Sequence, residues 1–271
     1  QLLACGADIV EINTIRKRLS AVKGGRFAQA CAPARVLCIV LSDILGDPLD
    51  MIASGPACAD SSTCRDAERV VKKYGLRLSG EARACLQHET PKHLDNVEAR
   101  ITGSVRELCA AAAAAARSLG YEPILLTDQL SCQAREAGVF LADIVRTHRS
   151  PARPLAYLAG GETVVKVTGN GRGGRNQELA LSAAIGLDGM EGVALFSIGS
   201  DGTDGPTDAA GGYVDGKTWE MVRKHKTDIY HELRNNNAYA TLEKCDGLIK
   251  TGPTGTNVND VTVLLIEERN I

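Results

Sequence analysis

The sequence predicts an α/β protein of two domains: a first, Rossmann-like one with a largely parallel sheet, and a second with a mixed sheet flanked by helices. Three observations predict this. Short runs of Val, Ile and Leu alternate with helical patterns of about ten to fifteen residues, the rhythm of strand–helix units. Aromatic residues are scarce among the 271 (one Trp, six Tyr, three Phe), so packing rests on aliphatic side chains and alanine, as in sheets covered by helices. A polar, proline-bearing stretch, Thr90 to Asn96, interrupts the rhythm and divides the chain into 1–94 and 95–271.

The elements follow in order. Asp8 with Glu11 three residues later has capping-box character, and Ile9, Ile12, Ile15, Leu19 and Val22 recur at helical spacing until Gly24-Gly25. Val36 to Leu41 is an apolar run that predicts a buried strand, opening into the polar loop Ser42 to Pro48 and then Ala53 to Pro56. Thr63, Asp66, Val70, Val71 and Tyr74 mark a helix closed by Gly75, with a short helix following around Glu81 to Gln87. Beyond the boundary, Ala99 to Ile101 predicts a strand, Val105 to Leu119 an alanine-rich helix, Pro123 to Thr127 a strand and Ala134 to His148 a helix. Leu155 to Leu158 and Thr163 to Val167 predict two strands of a hairpin joined by Ala159-Gly160-Gly161-Glu162. Asn176 to Leu187 predicts a helix, Val193 to Ile198 a strand, and residues 218–245 helical pieces. Leu248 to Thr251 and Val261 to Ile266 close the chain as strands.

Composition excludes several classes of function. A net charge of −2 offers no general attraction for nucleic acid or anionic lipid. The longest apolar run, Leu108 to Ala116, falls far short of the roughly 20 residues that span a bilayer, and no leader-like pattern opens the chain. Nine scattered cysteines, without a Cys-x-x-Cys pair, predict reduced thiols in the cytoplasm and argue against a zinc site.

The glycines concentrate in polar loops after predicted strands, where ligands of open α/β sheets sit. Gly169 to Glu178 combines Asn170, Gly173, Gly174, Arg175, Asn176, Gln177 and Glu178 at a helix start. Glycine lets backbone N–H groups approach an anion, a helix N-terminus adds donors, and arginine grips phosphate or carboxylate two-pronged. The same stretch can also be a turn with solvated arginines. Asp201, Asp204 and Asp208 lie within eight residues and are the Mg²⁺ candidates; the alternative is an Asp/Gly turn bonded to its own backbone. Thr203, Thr254 and Asn257 can donate to phosphate or ribose oxygens, and Gly160, Gly161 and Glu162 form a further strand-end loop. Lys23, Ser54 and Asn236 complete the candidates for anion binding, though a lysine at a helix end also serves the dipole. Walker, protein-kinase and Gly-x-Ser-x-Gly motifs are absent.

Several long motifs carry a resemblance over essentially the whole chain: Glu11 to Ser20, Lys23 to Gly25, Ser42 to Asp47, Ile52 to Pro56 and Gly160 to Thr163. Gly171 to Leu181, Asp201 to Gly211 and Thr251 to Asp260 add to it. Together they resemble the type-2 glycerate kinases, whose C-terminal domain is called MOFRL. The resemblance implies two α/β domains with the active site between them, transfer of the ATP γ-phosphoryl to D-glycerate with Mg²⁺, usually at the 2-hydroxyl, and a catalytic arginine that matches Arg175. It implies ATP and D-glycerate as partners, with neither nucleic acid nor membrane, and allows a homo-oligomer. Family members carry an upstream catalytic lysine segment without counterpart here, so a truncated and inactive chain is expected. Two other functions stay open at this stage. One is an NAD(P)H-dependent hydroxypyruvate reductase, suggested by glycines at 169, 171 and 174; the other is a non-catalytic ligand-binding fragment.

Overall fold

A computed structural model of the chain describes residues 1–148 and 151–268. It divides into two compact units, 1–102 and 103–271.

In the first unit, α1 (Ile9–Leu19) opens with the expected capping box, Asp8 accepting from the Glu11 N–H and Glu11 accepting from the Asp8 N–H. The helix ends at Leu19, earlier than the apolar pattern predicts. The glycines that follow lead into an additional short helix, α2 (Arg26–Cys31). Strand β1 (Val36–Leu41) and the capped helices α3 (Cys64–Tyr74) and α4 (Gly80–Leu86) come next, then β2 (Val97–Gly103). Ile15, Ala67, Val70, Leu76 and Leu86 form the apolar core where α1, α3 and α4 meet. β1 pairs with β2. The strand β2 therefore belongs to the first unit, and the division falls at 102/103 where sequence places it at 94/95. Residues 90–96 break the pattern, but they connect elements of one unit: Asn96 accepts from the Val36 N–H at 2.7 Å and donates to the Ala28 and Ala34 carbonyls.

The second unit begins with α5 (Val105–Ser118), β3 (Glu122–Leu130), α6 (Ala134–Thr147) and β4 (Leu155–Gly161). Helix α7 (Arg175–Leu187) and strands β5 (Val193–Gly199) and β6 (Gly211–Asp215) follow. Three short helices, α8 (Thr218–Lys224), α9 (Ile229–Arg234) and α10 (Ala238–Lys244), lead to β7 (Leu248–Ile249) and β8 (Asp260–Ile266). The sheet order is β3-β4-β8-β5-β6-β7, with β3 and β4 parallel and β8 antiparallel to both its neighbours.

The mixed sheet is as expected, but the hairpin that was to produce it does not form. β4 is one strand buried along its whole length, with β3 on one edge and β8 on the other, so neither edge is free for residues 163–167. Val164 makes a single bridge to Gln133 instead. β6 was not anticipated, because its Gly211-Gly212 start lacks the branched side chains that signal a strand. Those glycines admit close neighbours: a Cβ on Gly211 would overlap the Ser197 carbonyl.

Helix α7 is the centre of this unit. It is buried along nearly its full length and packs against α6, α10, β5 and β6. Gly138 on α6 faces Ser182 and the Leu179 carbonyl on α7, and Gly186 on α7 faces Ala142 on α6. Small residues at both crossing points let the two backbones approach. The core, including Leu141, Val145, Leu179, Leu195, Leu242 and Leu264, closes around them.

Candidate active site

β4 and β5 end, and β8 begins, at one end of the second unit's sheet. Register places Asp260 opposite both Gly161 and Gly199. Helix α7 starts beside them, so Arg175, its first residue, reaches Asp260 with two prongs: Nε donates to Oδ2 at 2.6 Å and Nη2 to Oδ1 at 3.0 Å. Nη1 donates to Glu162 at 2.8 Å. Burial works against the guanidinium charge, yet Asp260 and Glu162 hold its pKa above the ordinary arginine value. A planar fork fixed on one side by a buried carboxylate is an oriented donor, suited to an oxyanion.

The four predicted bends of this unit do gather here. Thr254 donates its N–H to the Asp201 carbonyl at 3.1 Å and its hydroxyl to the Ser200 carbonyl at 2.5 Å. Arg172 donates Nε to the Pro206 carbonyl at 3.3 Å. The Gly169–Gly174 stretch lies on Asn235, Asn236 and Asn237. The Asn170 N–H donates to Asn235, and the Thr168 and Gly169 N–H groups donate to Asn236 Oδ1 at 2.8 and 3.0 Å. Asn236 sits in the left-handed region at φ 55° to make those contacts, and gives Nδ2 to Glu178 at 3.0 Å. Glu178 is buried and also accepts from Arg135 Nε at 2.7 Å.

The phosphate cradle expected at Gly173, Gly174 and the start of α7 already holds an anion, the Asp204 carboxylate. It accepts from the Gln177 N–H at 2.9 Å, the Asn176 N–H at 3.2 Å and Asn176 Nδ2 at 3.3 Å. A Cβ on Gly174 would overlap that carboxylate. Burial raises the Asp204 pKa to about 6, against the two backbone donors. Asn176 in turn accepts from Ser197 Oγ at 2.6 Å, and Gln177 Nε2 holds the Asp204 carbonyl and Thr207 Oγ1. These two polar residues of α7 tie the helix to the loop.

The Asp201, Asp204 and Asp208 carboxylates each meet different partners, and no group of three or more ligating acids, His or Cys stands together among the described residues. The positive-φ glycines Gly202 and Gly205 turn the chain between them. Asp201 accepts from the Thr203 N–H and Asp204 caps α7. Asp208 is exposed and held at a pKa of about 2 by the Tyr239 hydroxyl and Lys250. Closeness in sequence has become divergence in space.

Asn257 accepts from the Asn259 N–H, shaping its own turn. Gly160 and Gly161 are the last residues of β4; Cβ atoms there would overlap Cys109 Sγ and the Leu130 backbone. Lys23 and Ser54 belong to the first unit. Lys23 Nζ donates to the Ala53 carbonyl at 2.8 Å, and the buried Ser54 hydroxyl donates to Asn13 at 3.0 Å. A cavity of about 550 Å³ in the second unit lies at the other end of the sheet, beside Tyr121, Met190, Tyr213 and Glu267.

Sequence reading passed over three groups. Asp260 was quoted only as the end of a Thr/Asn-rich loop, and nothing local marks it; pairing with Gly161 and Gly199 does. Arg135 carries no local signal, yet it donates to the buried Glu178. In the first unit, Lys17 and Arg18 are fully buried: Lys17 Nζ meets Asp50 and Asp60 at 3.0 Å each, and Arg18 bonds Ser62 and Glu89. Burial opposes the Asp60 charge, but donors from Thr90, Ser62 and Lys17 hold its pKa below the ordinary value. No local pattern in the Arg16-Lys17-Arg18 run marks two of its cations as buried.

A two-unit α/β protein with an arginine held between two carboxylates at the end of a mixed sheet is the class that fold and geometry define. Comparison with known proteins narrows it. Residues 155–260 match the MOFRL family and residues 1–87 a family described as "Domain of unknown function (DUF4147)". A Thermotoga maritima protein named D-glycerate 2-kinase is 55% identical over 269 residues, covering 98% of this chain and 64% of the relative. A Macaca fascicularis glycerate kinase is 34% identical, with 99% of this chain and 81% of the relative covered. A putative hydroxypyruvate reductase of Agrobacterium vitis is 40% identical, with 98% and 71% covered. The crystal structure of the Thermotoga maritima glycerate kinase superposes with a TM-score of 0.94, over 98% of this chain and 65% of that one. The chain belongs to the glycerate kinase family, and spans somewhat under two thirds of the Thermotoga relative.

Proposed function

We propose that the protein transfers the γ-phosphoryl group of ATP to the 2-hydroxyl of D-glycerate. The observation that carries this reading is Arg175, aimed by Asp260 at the mouth of a family-specific cluster of bends. Phosphoryl transfer asks for positioning and charge neutralisation more than covalent chemistry. A preoriented guanidinium supplies both to a carboxylate or a transferring phosphoryl group. The names of the Thermotoga and macaque relatives support the substrate. Mg²⁺ is assigned as part of the nucleotide substrate, and no ligand role is given to Asp201, Asp204 or Asp208. The free thiols at all nine cysteines go with a cytoplasmic setting; among the described residues no helix is long and apolar enough to cross a membrane.

The reductase reading has the Agrobacterium relative's name behind it, but the geometry favours the kinase. A dinucleotide fingerprint needs a strand, a glycine turn and a helix in succession, with an acid at the end of a second strand. Here no strand precedes Gly169 directly, and Asp188, at the right distance, caps the C-terminus of α7. A coupled ADP-release assay tests the proposal. It is run on this chain, alone and fused to the part of the Thermotoga relative that lies outside the match. D-Glycerate-dependent ADP formation, with ³¹P spectra of a 2-phospho product, is expected; NADH oxidation by hydroxypyruvate without any ADP release would replace the kinase reading.

A further inference from the structure

Two carboxylates hold the Arg175 guanidinium, Asp260 and Glu162, and a third, Asp204, is near enough to act on its charge. One positive charge among three negative ones leaves no surplus for an incoming anion. A substrate oxyanion therefore gains the fork by exchange, taking the place of one carboxylate.

The three are held very differently. Asp204 is buried under two backbone N–H groups of α7. Asp260 is buried in the first position of β8, and its contact to Arg175 is two-pronged. Glu162 makes one contact, at 2.8 Å, and its side chain is 46% exposed. Its backbone is anchored: the Glu162 N–H donates to the Leu130 carbonyl at 2.8 Å, and Gly161 sits against the Leu130 backbone too closely for a Cβ. The main chain stays in place, then, while the carboxylate alone can rotate into solvent.

We propose that Glu162 is a displaceable stand-in anion: it holds Nη1 of Arg175 and yields it to a substrate carboxylate or phosphate, while Asp260 keeps Nε and Nη2 aimed. This deepens the functional reading above and rests on its assignment of Arg175 to substrate. It makes Glu162 a residue that sets affinity by competition rather than by contact.

The test follows the Arg175 Nε–H signal by NMR as this chain is titrated with inorganic phosphate and, separately, with D-glycerate, so that the two sources of the oxyanion are told apart. The proteins are wild type and Glu162→Gln, with Glu162→Ala as a second variant should the amide disturb folding. Removing a half-exposed competing ion pair should lower the half-saturating concentration of at least one anion about threefold. Equal or higher half-saturation in the variants, or no response of the signal to either anion in any protein, overturns the proposal. The readout needs no turnover. Tightening in this chain, with no phosphorylation of D-glycerate by its fused form, would retire the kinase reading and keep the exchange. Turnover without tightening would do the reverse.

Discussion

At the residue scale, the site runs on carboxylates that differ in what surrounds them. Asp204 is the clearest case, because burial lifts its pKa to about 6 from the ordinary 3.8. The folded protein thus binds this proton more tightly than the unfolded chain. The stabilisation is present in full below about pH 4 and is lost as the pH climbs to about 6, a change of about 3 kcal/mol at 1.36 kcal/mol per pH unit. Urea titrations at a series of pH values should show Asp204→Asn flattening that part of the profile; a variant that keeps the wild-type slope would refute the assignment. Above pH 6 the carboxylate is charged and sits on the N-terminal amides of α7, where a negative charge is favoured. This same residue shows why aspartates close in sequence need not share one site. Three aspartates within eight positions look like one cluster in sequence, whereas the turns at Gly202 and Gly205 send each to a separate partner.

At the element scale, α7 was legible and its support was not. A glycine-rich run followed by an apolar helix marked both its start and Arg175. Its aiming depends on β8, 85 residues further on, and on the two-sided pairing of Asp260, which no local pattern carries. The missed hairpin has the same origin: both edges of β4 are taken, and the partner of Leu155 is Ile266. Strand propensity reports that a segment can pair, not with what. The crossing of α6 over α7 gives a prediction at this scale. Gly138→Ala places a methyl group against Ser182 Oγ and the Leu179 carbonyl, and overpacking of this kind costs about 1–3 kcal/mol. Thermal unfolding should register the loss, together with reduced turnover as α7 shifts. A fully stable, fully active variant would mean that the two helices have slack the packing denies.

Across the whole molecule, the two units differ in how they are held. The second encloses a continuous apolar core around α7, with Leu179, Leu181, Leu187, Leu195 and Leu264 fully buried. The first joins a small cluster centred on Ile15, Val70 and Leu86 to a buried ionic network around Lys17 and Asp60. Leu37, Ile39 and Leu41 of its strand β1 are exposed. Hydrogen exchange on this chain should show amides of residues 1–102 opening at lower free energy than those of 155–266; equal protection in both units would contradict that ordering.

The fold class was readable because aliphatic strands and capped helices announce themselves locally, and the family motifs because they are long. Within the site, Arg175 stood out because the role proposed for it lies in its own side chain, whereas its partner Asp260 is set by strand pairing. The most direct measurement is therefore D-glycerate-dependent ADP formation by the fused protein with Arg175→Ala beside its parent. The account predicts a loss of at least about 100-fold in kcat/KM, the scale of one oriented transition-state donor, in a variant that still folds. A folded Arg175→Ala protein with kcat/KM near that of its parent would contradict it.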